Sequence, residues 1–233
     1  MFIKQYINNW LTNVIAVTFL TLALLSLGNA EYFDRIFIVY LIGVASLNTK
    51  SVNILTIISI LMFERLIEEL VFFFNALYLA KLITYILSMF FIRYFWYDSI
   101  VKRLILPVII VSYVAEVFWY KTGYESPRIN FYIGMIWLNI ITRHLLFLRV
   151  PITQKVISKN VSQTSLDWQL YSLSKWNIIV IVLMLTEYMI RHLTSFSPLS
   201  VYHSYPYTIQ LLSVATLFFI TNFAIQLRFK INA

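Results

Sequence analysis

The sequence contains no cysteine. Disulfides, thiolate metal sites and cysteine nucleophiles are therefore excluded. Charge is scarce as well, at 12% of residues, against about 25% in soluble domains. Only 4 glycines and 5 prolines occur. Transporters with broken helices place Gly or Pro inside their spans to free backbone groups for substrate, so this scarcity counts against that architecture. Stretches of about ten residues with alternating polarity are missing, which counts against a membrane β-barrel. The 3 histidines, His144, His192 and His203, lack the Asp/Glu–His spacing of a metal site. A bis-histidine haem needs ligands at matched depth. His192 and His203 both fall near the expected outer surface and His144 at the inner one, and without a ligand pattern haem is not favoured. There is no Gly-rich phosphate loop, and the last span has no lysine for a retinal Schiff base. No cofactor and no metal are expected.

What the sequence does have is hydrophobicity, at 61% of 233 residues. Apolar runs of roughly 18 residues recur, close to the ~20 needed to cross a ~30 Å hydrocarbon layer. The fold class expected is all-α: a polytopic transmembrane helical bundle of about eight spans arranged as consecutive hairpins. The spans read as about Trp10–Leu27, Ile36–Leu47, Ser51–Glu69, Ala76–Tyr97, Leu104–Tyr120, Asn130–Leu148, Trp176–Leu193 and Tyr207–Leu227. Seven spans remain if the short stretch Ile36–Leu47 does not cross. Lys4, the apolar core Val14–Leu27 and Gly28-Asn29-Ala30 also outline a secretory signal, but an uncleaved first helix is preferred. No stretch is long and polar enough for a separate soluble domain. Residues 1–233 are read as one integral membrane domain, with a cytoplasmic polar connection at 149–175.

Net charge is +8. In this context basic residues mark cytoplasmic loops, and no nucleic-acid partner is inferred. The proposed inner side collects Lys4, Lys50, Arg93, Lys102, Arg103, Arg143, Arg149, Lys155, Lys159, Lys175, Arg228 and Lys230, most of the 18 basic residues. Both termini are then cytoplasmic, and the location expected is a bacterial inner membrane. Trp and Tyr at span ends read as an interfacial aromatic belt.

Three groups of residues carry candidate roles. The first is charged: Glu64, Glu68, Lys81, Glu116, Glu187 and Arg191. Carboxylates at membrane depth are costly and face protein, a cavity or a partner charge. They read either as an ion path or as structural ion pairs. Glu187 and Arg191 are spaced for an i,i+4 pair, and Lys81 is placed to reach back toward Glu64 or Glu68. The second group, Ala76, Ala80, Thr84 and Ser88, recurs every fourth residue and forms a small-residue face for close helix packing. The third lies in the connection, where Thr164 or Ser165 caps a short helix with Asp167 in its first turn. Leu166, Trp168, Leu170 and Leu173 give that helix an apolar side that rests in the interface or docks a cytosolic partner.

Ser172-Leu173-Ser174-Lys175 fits an S-x-x-K spacing, but no second motif accompanies it. No nucleophile–base pair can be assembled, so an enzyme is not expected. The leading expectation is a non-catalytic multi-pass membrane subunit, homo- or hetero-oligomeric in the lipid bilayer. It would anchor or signal to a cytosolic protein partner, as a stress or defence effector does. The alternative is an ion channel or transporter that uses the outer-leaflet glutamates.

Overall fold

A computed structural model describes residues 2–25, 30–74, 78–124, 129–157 and 161–229. Every regular element among them is helical. The α-helices are α1 (Phe2–Leu25), α2 (Ala30–Leu47), α3 (Val52–Phe74), α4 (Tyr78–Tyr94), α5 (Leu106–Thr122), α6 (Ile129–Phe147), α7 (Arg149–Ile157), α8 (Ser165–Leu193) and α9 (Ser200–Phe229).

Local chemistry explains several of their ends. Asn48 closes α2 by donating from its amide to the Val44 carbonyl at 2.8 Å. A single π-turn, Val101–Ile105, leads into α5, with the Leu106 N–H donating to the Val101 carbonyl. Pro107 follows directly after that π-turn, an irregularity in the helical ladder that accommodates its missing N–H. Gly123 ends α5 at φ 68°, and its N–H returns to the Trp119 carbonyl. Within the helices, hydroxyls of Thr18, Ser46, Thr56, Ser59 and Thr84 donate to the carbonyl one turn back. An apolar surround leaves a hydroxyl few other partners.

The expected spans are only partly matched. Helices α8 and α9 (to Leu227) are long and apolar enough to cross a membrane. A third candidate exists if α6 and α7, bent by 65°, form one span. The other helices fall short for visible reasons. Helices α4 and α5 have 17 residues each, roughly 25 Å at ~1.5 Å per residue. Helix α3 carries Glu64, Arg65, Glu68 and Glu69. Helix α2 begins at Ala30, so Ile36–Leu47 is the later part of an 18-residue helix. Within the connection read at 149–175, Arg149–Ile157 form α7 and α8 begins at Ser165, where the sequence places a capped helix. Helix α8 buries the apolar Leu166 and Leu170 at its start, whereas α7 buries the polar Arg149 and Thr153.

The chain divides into two compact units. The first comprises Met1–Phe63, Thr142–Trp176 and Pro206–Ala233. Its core buries Phe19, Phe37, Leu41, Ile54, Ile57, Leu166, Leu170, Leu217 and Ile220. Polar side chains link its helices at the edge of that core: Tyr40 and Thr221 hydroxyls lie 2.6 Å apart, and Thr12 donates to Asn222 at 3.1 Å. The second unit comprises Glu64–Ile141 and Asn177–Tyr205. It buries Trp119, Ile133, Ile136, Trp137, Ile178 and Leu185. Trp137 donates from its indole to Ser88 Oγ at 2.7 Å.

Two helical glycines differ in their surroundings. A Cβ at Gly134 of α6 would meet Val71 Cγ1 of α3 at 3.0 Å, whereas one at Gly43 of α2 would meet nothing within 4 Å. Gly43→Ala is expected to stabilise the protein by about 0.5–1 kcal/mol through helix propensity. Gly134→Ala should forfeit that gain, because overpacking costs ~1 kcal/mol or more. Thermal unfolding of both variants in the same detergent checks the contrast, and equal midpoints would remove the close α3–α6 approach.

Candidate functional site

Arg149 opens α7 and is almost completely buried. Its guanidinium grips Asp167 with two parallel bonds, Nε to Oδ1 and Nη2 to Oδ2, both at 2.6 Å. Nη1 donates to Asn53 Oδ1 and Thr56 Oγ1 of α3, both at 3.1 Å. Nη2 also donates to the Ser162 carbonyl at 2.9 Å. A guanidinium has five N–H donors, and this set engages all of them. Asp167 Oδ2 in turn accepts from the Thr164 N–H at 2.8 Å and the Thr164 hydroxyl at 3.0 Å. The carboxylate therefore caps α8 from its first turn, where the helix dipole favours negative charge. In sequence, Arg149 looks like one more loop cation. The only local signal is that Asp167 is the sole acid among the bases of its segment.

The charged residues singled out by depth do not form one constellation. Arg65 and Glu68 pair within α3 at 2.7 Å. Lys81 of α4 reaches Glu116 of α5, with Nζ 3.3 Å from Oε1, a partner the hairpin reading does not provide. Glu187 is buried in α8 and accepts from the N–H groups of Val201 and Tyr202 at 2.8 and 2.7 Å. The expected Glu187–Arg191 pair is thus corrected. The carboxylate occupies the N-terminus of α9, where unsatisfied amide donors outcompete a side-chain cation. The Arg191 guanidinium instead lies over the rings of Tyr188 and Tyr202, 5.6 and 5.2 Å from their centroids.

Lys81 and Glu116 open onto a cleft of about 400 Å³, walled by Leu82, Tyr85, Tyr113, Val117, Tyr120 and Tyr124. The pair is half-screened, with side-chain exposures of 23% and 17%. Tyr85 and Tyr113 meet edge to face at 5.8 Å. The Tyr124 hydroxyl shares a 2.9 Å hydrogen bond with His192 Nδ1.

The small-residue face has a mixed outcome. Ala76 lies outside the described residues. Ala80 and Thr84 line an apolar groove of about 480 Å³ bounded by α3, α4 and α6. Ser88 is fully buried, donates to the Thr84 carbonyl at 2.7 Å and receives the Trp137 indole. Of the three described positions, Ser88 is the one in close approach.

The docking set also divides. Leu166 and Leu170 are buried in the core of the first unit, and Leu173 packs against it. These leucines are unavailable to a partner, a correction that follows from α8 turning its apolar side inward. Trp168 alone of the four is exposed, and it stacks on Tyr171 with centroids 5.5 Å apart. Exposed apolar residues that the sequence reading missed lie on α7, at Ile152, Val156 and Ile157.

Among the described residues, no group of three or more His, Cys, Asp or Glu is arranged to hold a metal ion. Comparison of the chain with protein-family models, with curated proteins and with solved structures finds no match.

The Arg149 cluster makes a direct prediction. Removing one partner of a buried pair leaves the other uncompensated, so Arg149→Ala and Asp167→Asn should each destabilise by about 3–5 kcal/mol. Arg149→Lys should fail to restore stability, because an ammonium lacks the planar fork. The double variant Arg149→Met/Asp167→Leu should be more stable than either single loss. Detergent-solubilised unfolding measures all four, and additive single effects would mean the pair is not coupled.

Proposed function

We propose that the chain is a non-catalytic, multi-pass membrane subunit whose inner face docks a cytosolic protein. The observation that carries this reading is the face around α7 and the start of α8. Ile152, Val156 and Trp168 are exposed there, beside Lys155 and Lys175. The Arg149–Asp167 cluster holds the base of that face rigid. Rigid aromatic anchors with basic neighbours suit a protein surface of opposite charge. The ion-path reading has less support, since the Glu187 carboxylate is committed to the α9 N-terminus.

The membrane reading extends to about eight spans with both termini cytoplasmic, in the bacterial inner membrane, and to assembly as an oligomer. Two helices, or three with the bent pair, have the length and hydropathy for this. Long apolar surfaces on α1, α4 and α5, including Val17, Leu24, Leu82, Met89 and Val114, support lipid or subunit contact for the rest.

The absence of native cysteine permits clean labelling. Ser158→Cys should react with an impermeant thiol reagent only from the cytoplasmic side, and Ser197→Cys only from outside. Reversed labelling would overturn the orientation.

The docking face makes its own prediction. Trp168→Ala and Val156→Ser should cut copurification of a cytosolic partner at least roughly tenfold, as anchor truncations of about 1.4 kcal/mol or more do. Neither should alter thermal stability much. Leu170→Ala should instead lower stability by about 2–5 kcal/mol, because it hollows a core. Unchanged copurification in the Trp168→Ala/Val156→Ser double variant would sink the docking face.

A further inference from the structure

Two buried polar atoms at the Lys81–Glu116 cleft lack what burial demands. Glu116 Oε1 lies 3.3 Å from Lys81 Nζ, yet receives no well-aligned hydrogen bond. The Tyr85 hydroxyl, near Glu116 and with the Ser112 hydroxyl within hydrogen-bonding reach, is also buried without a well-aligned bond. Roughly nine in ten or more buried polar groups in native proteins are paired. Two such atoms on the wall of one open cleft call for a common partner.

The chemistry of that partner follows from what each group requires. A carboxylate oxygen needs a donor, and a phenol accepts either role. A primary ammonium supplies three N–H donors and is drawn to tyrosine ring faces, here those of Tyr113, Tyr120 and Tyr124. Lys81 on the same wall favours an anionic oxygen. A ligand that carries an ammonium a few ångströms from an anion satisfies both demands. The cleft is also lined by exposed Leu82 and Val117, which suits an amphiphile.

From this geometry we infer that the cleft binds an ammonium–phosphate zwitterion, the headgroup of an ethanolamine phospholipid. The ammonium donates to Glu116 Oε1 and the Tyr85 hydroxyl, and the phosphate accepts from Lys81. A choline headgroup cannot replace it, because its quaternary nitrogen has no N–H to give Glu116. The lipid source rests on the membrane reading above. The zwitterion chemistry does not.

The test uses the full chain in detergent. Binding is read by the shift in unfolding midpoint on titration with dihexanoyl phosphatidylethanolamine, the matching phosphatidylcholine and phosphatidylglycerol, and free phosphoethanolamine. The ethanolamine lipid should bind roughly tenfold or more tightly than the choline lipid, the scale of one hydrogen bond to a charged group. Tyr85→Phe, which removes one atom, should weaken the ethanolamine lipid several-fold and leave the choline lipid unchanged. Glu116→Gln should erase the preference. If that variant does not fold, Tyr85→Phe decides. Free phosphoethanolamine binding as well as the lipid would keep the zwitterion site and assign it to a soluble ligand. Equal affinity for ethanolamine and choline lipids would overturn the site, as would a preference that Tyr85→Phe leaves undiminished. Failure of the cysteine labelling would defeat the membrane reading alone, so the two results are separable.

Discussion

The first unit depends on one buried ion pair. Placing a guanidinium and a carboxylate out of water costs several kcal/mol per ion. That cost is recovered only with excellent geometry and full hydrogen bonding. The Arg149–Asp167 pair meets both conditions. Its two parallel bonds are 2.6 Å long, and Asn53, Thr56, Ser162 and Thr164 engage the remaining donors and the carboxylate. The same contacts fix where three segments meet: α3 through Asn53 and Thr56, α7 through Arg149, and α8 through its capped first turn. Apolar side chains repack with little penalty, but this cluster accepts one arrangement. It sets the registry of the core in which Leu166 and Leu170 lie against Ile54 and Ile57.

A shared rule runs through the polar side chains of both units. Where water is scarce, most donors and acceptors are matched inside the protein. Hydroxyls turn back on their own helices, as at Thr18 and Ser59. Ser88 goes further, donating down its helix while receiving the Trp137 indole. Glu187 takes the amide donors at the start of α9, a helix with no acidic residue in its first turn. The Lys81–Glu116 cleft departs from the rule, with Glu116 Oε1 and the Tyr85 hydroxyl left over. Departures of this kind concentrate where a protein meets something else.

How much of this was legible follows from the separation of the partners. The helical class rests on composition and run length, which each segment displays alone. Helix existence was readable in the apolar segments but not at α7, where polar residues mask it, and the cap at Thr164 with Asp167 lies within one turn. Pairings across the fold were not readable. Lys81 and Glu116 are 35 residues apart, and Arg149 and Asp167 are 18 apart; no periodicity joins them. The i,i+4 rule pointed Glu187 at Arg191, but a local pair yields to a helix N-terminus brought close by a turn. In the segment after Thr164 the leucines share one face, but Trp168, read as part of it, lies on another. Sequence could not tell whether that face turns outward or into a core, because burial belongs to the fold and amphipathicity to the segment.

Helices α7 and α8 show why the distinction matters for function. Each presents its polar anchor inward, Arg149 and Thr153 on α7 and Asp167 on α8, all buried. With charge and hydroxyl satisfied inside, the outward face is free to be apolar, as at Ile152, Val156 and Trp168. These outward faces are mixed, since Gln154 and Lys155 on α7 and Gln169 and Ser172 on α8 are exposed alongside the apolar side chains. Lipid needs only general hydrophobicity, and any aliphatic side chain would serve. Trp168 is costlier to place than an aliphatic residue, and its stacking on Tyr171 holds it in one orientation. A fixed aromatic beside basic residues presents a shape as well as an apolar area, and shape is what a protein partner reads.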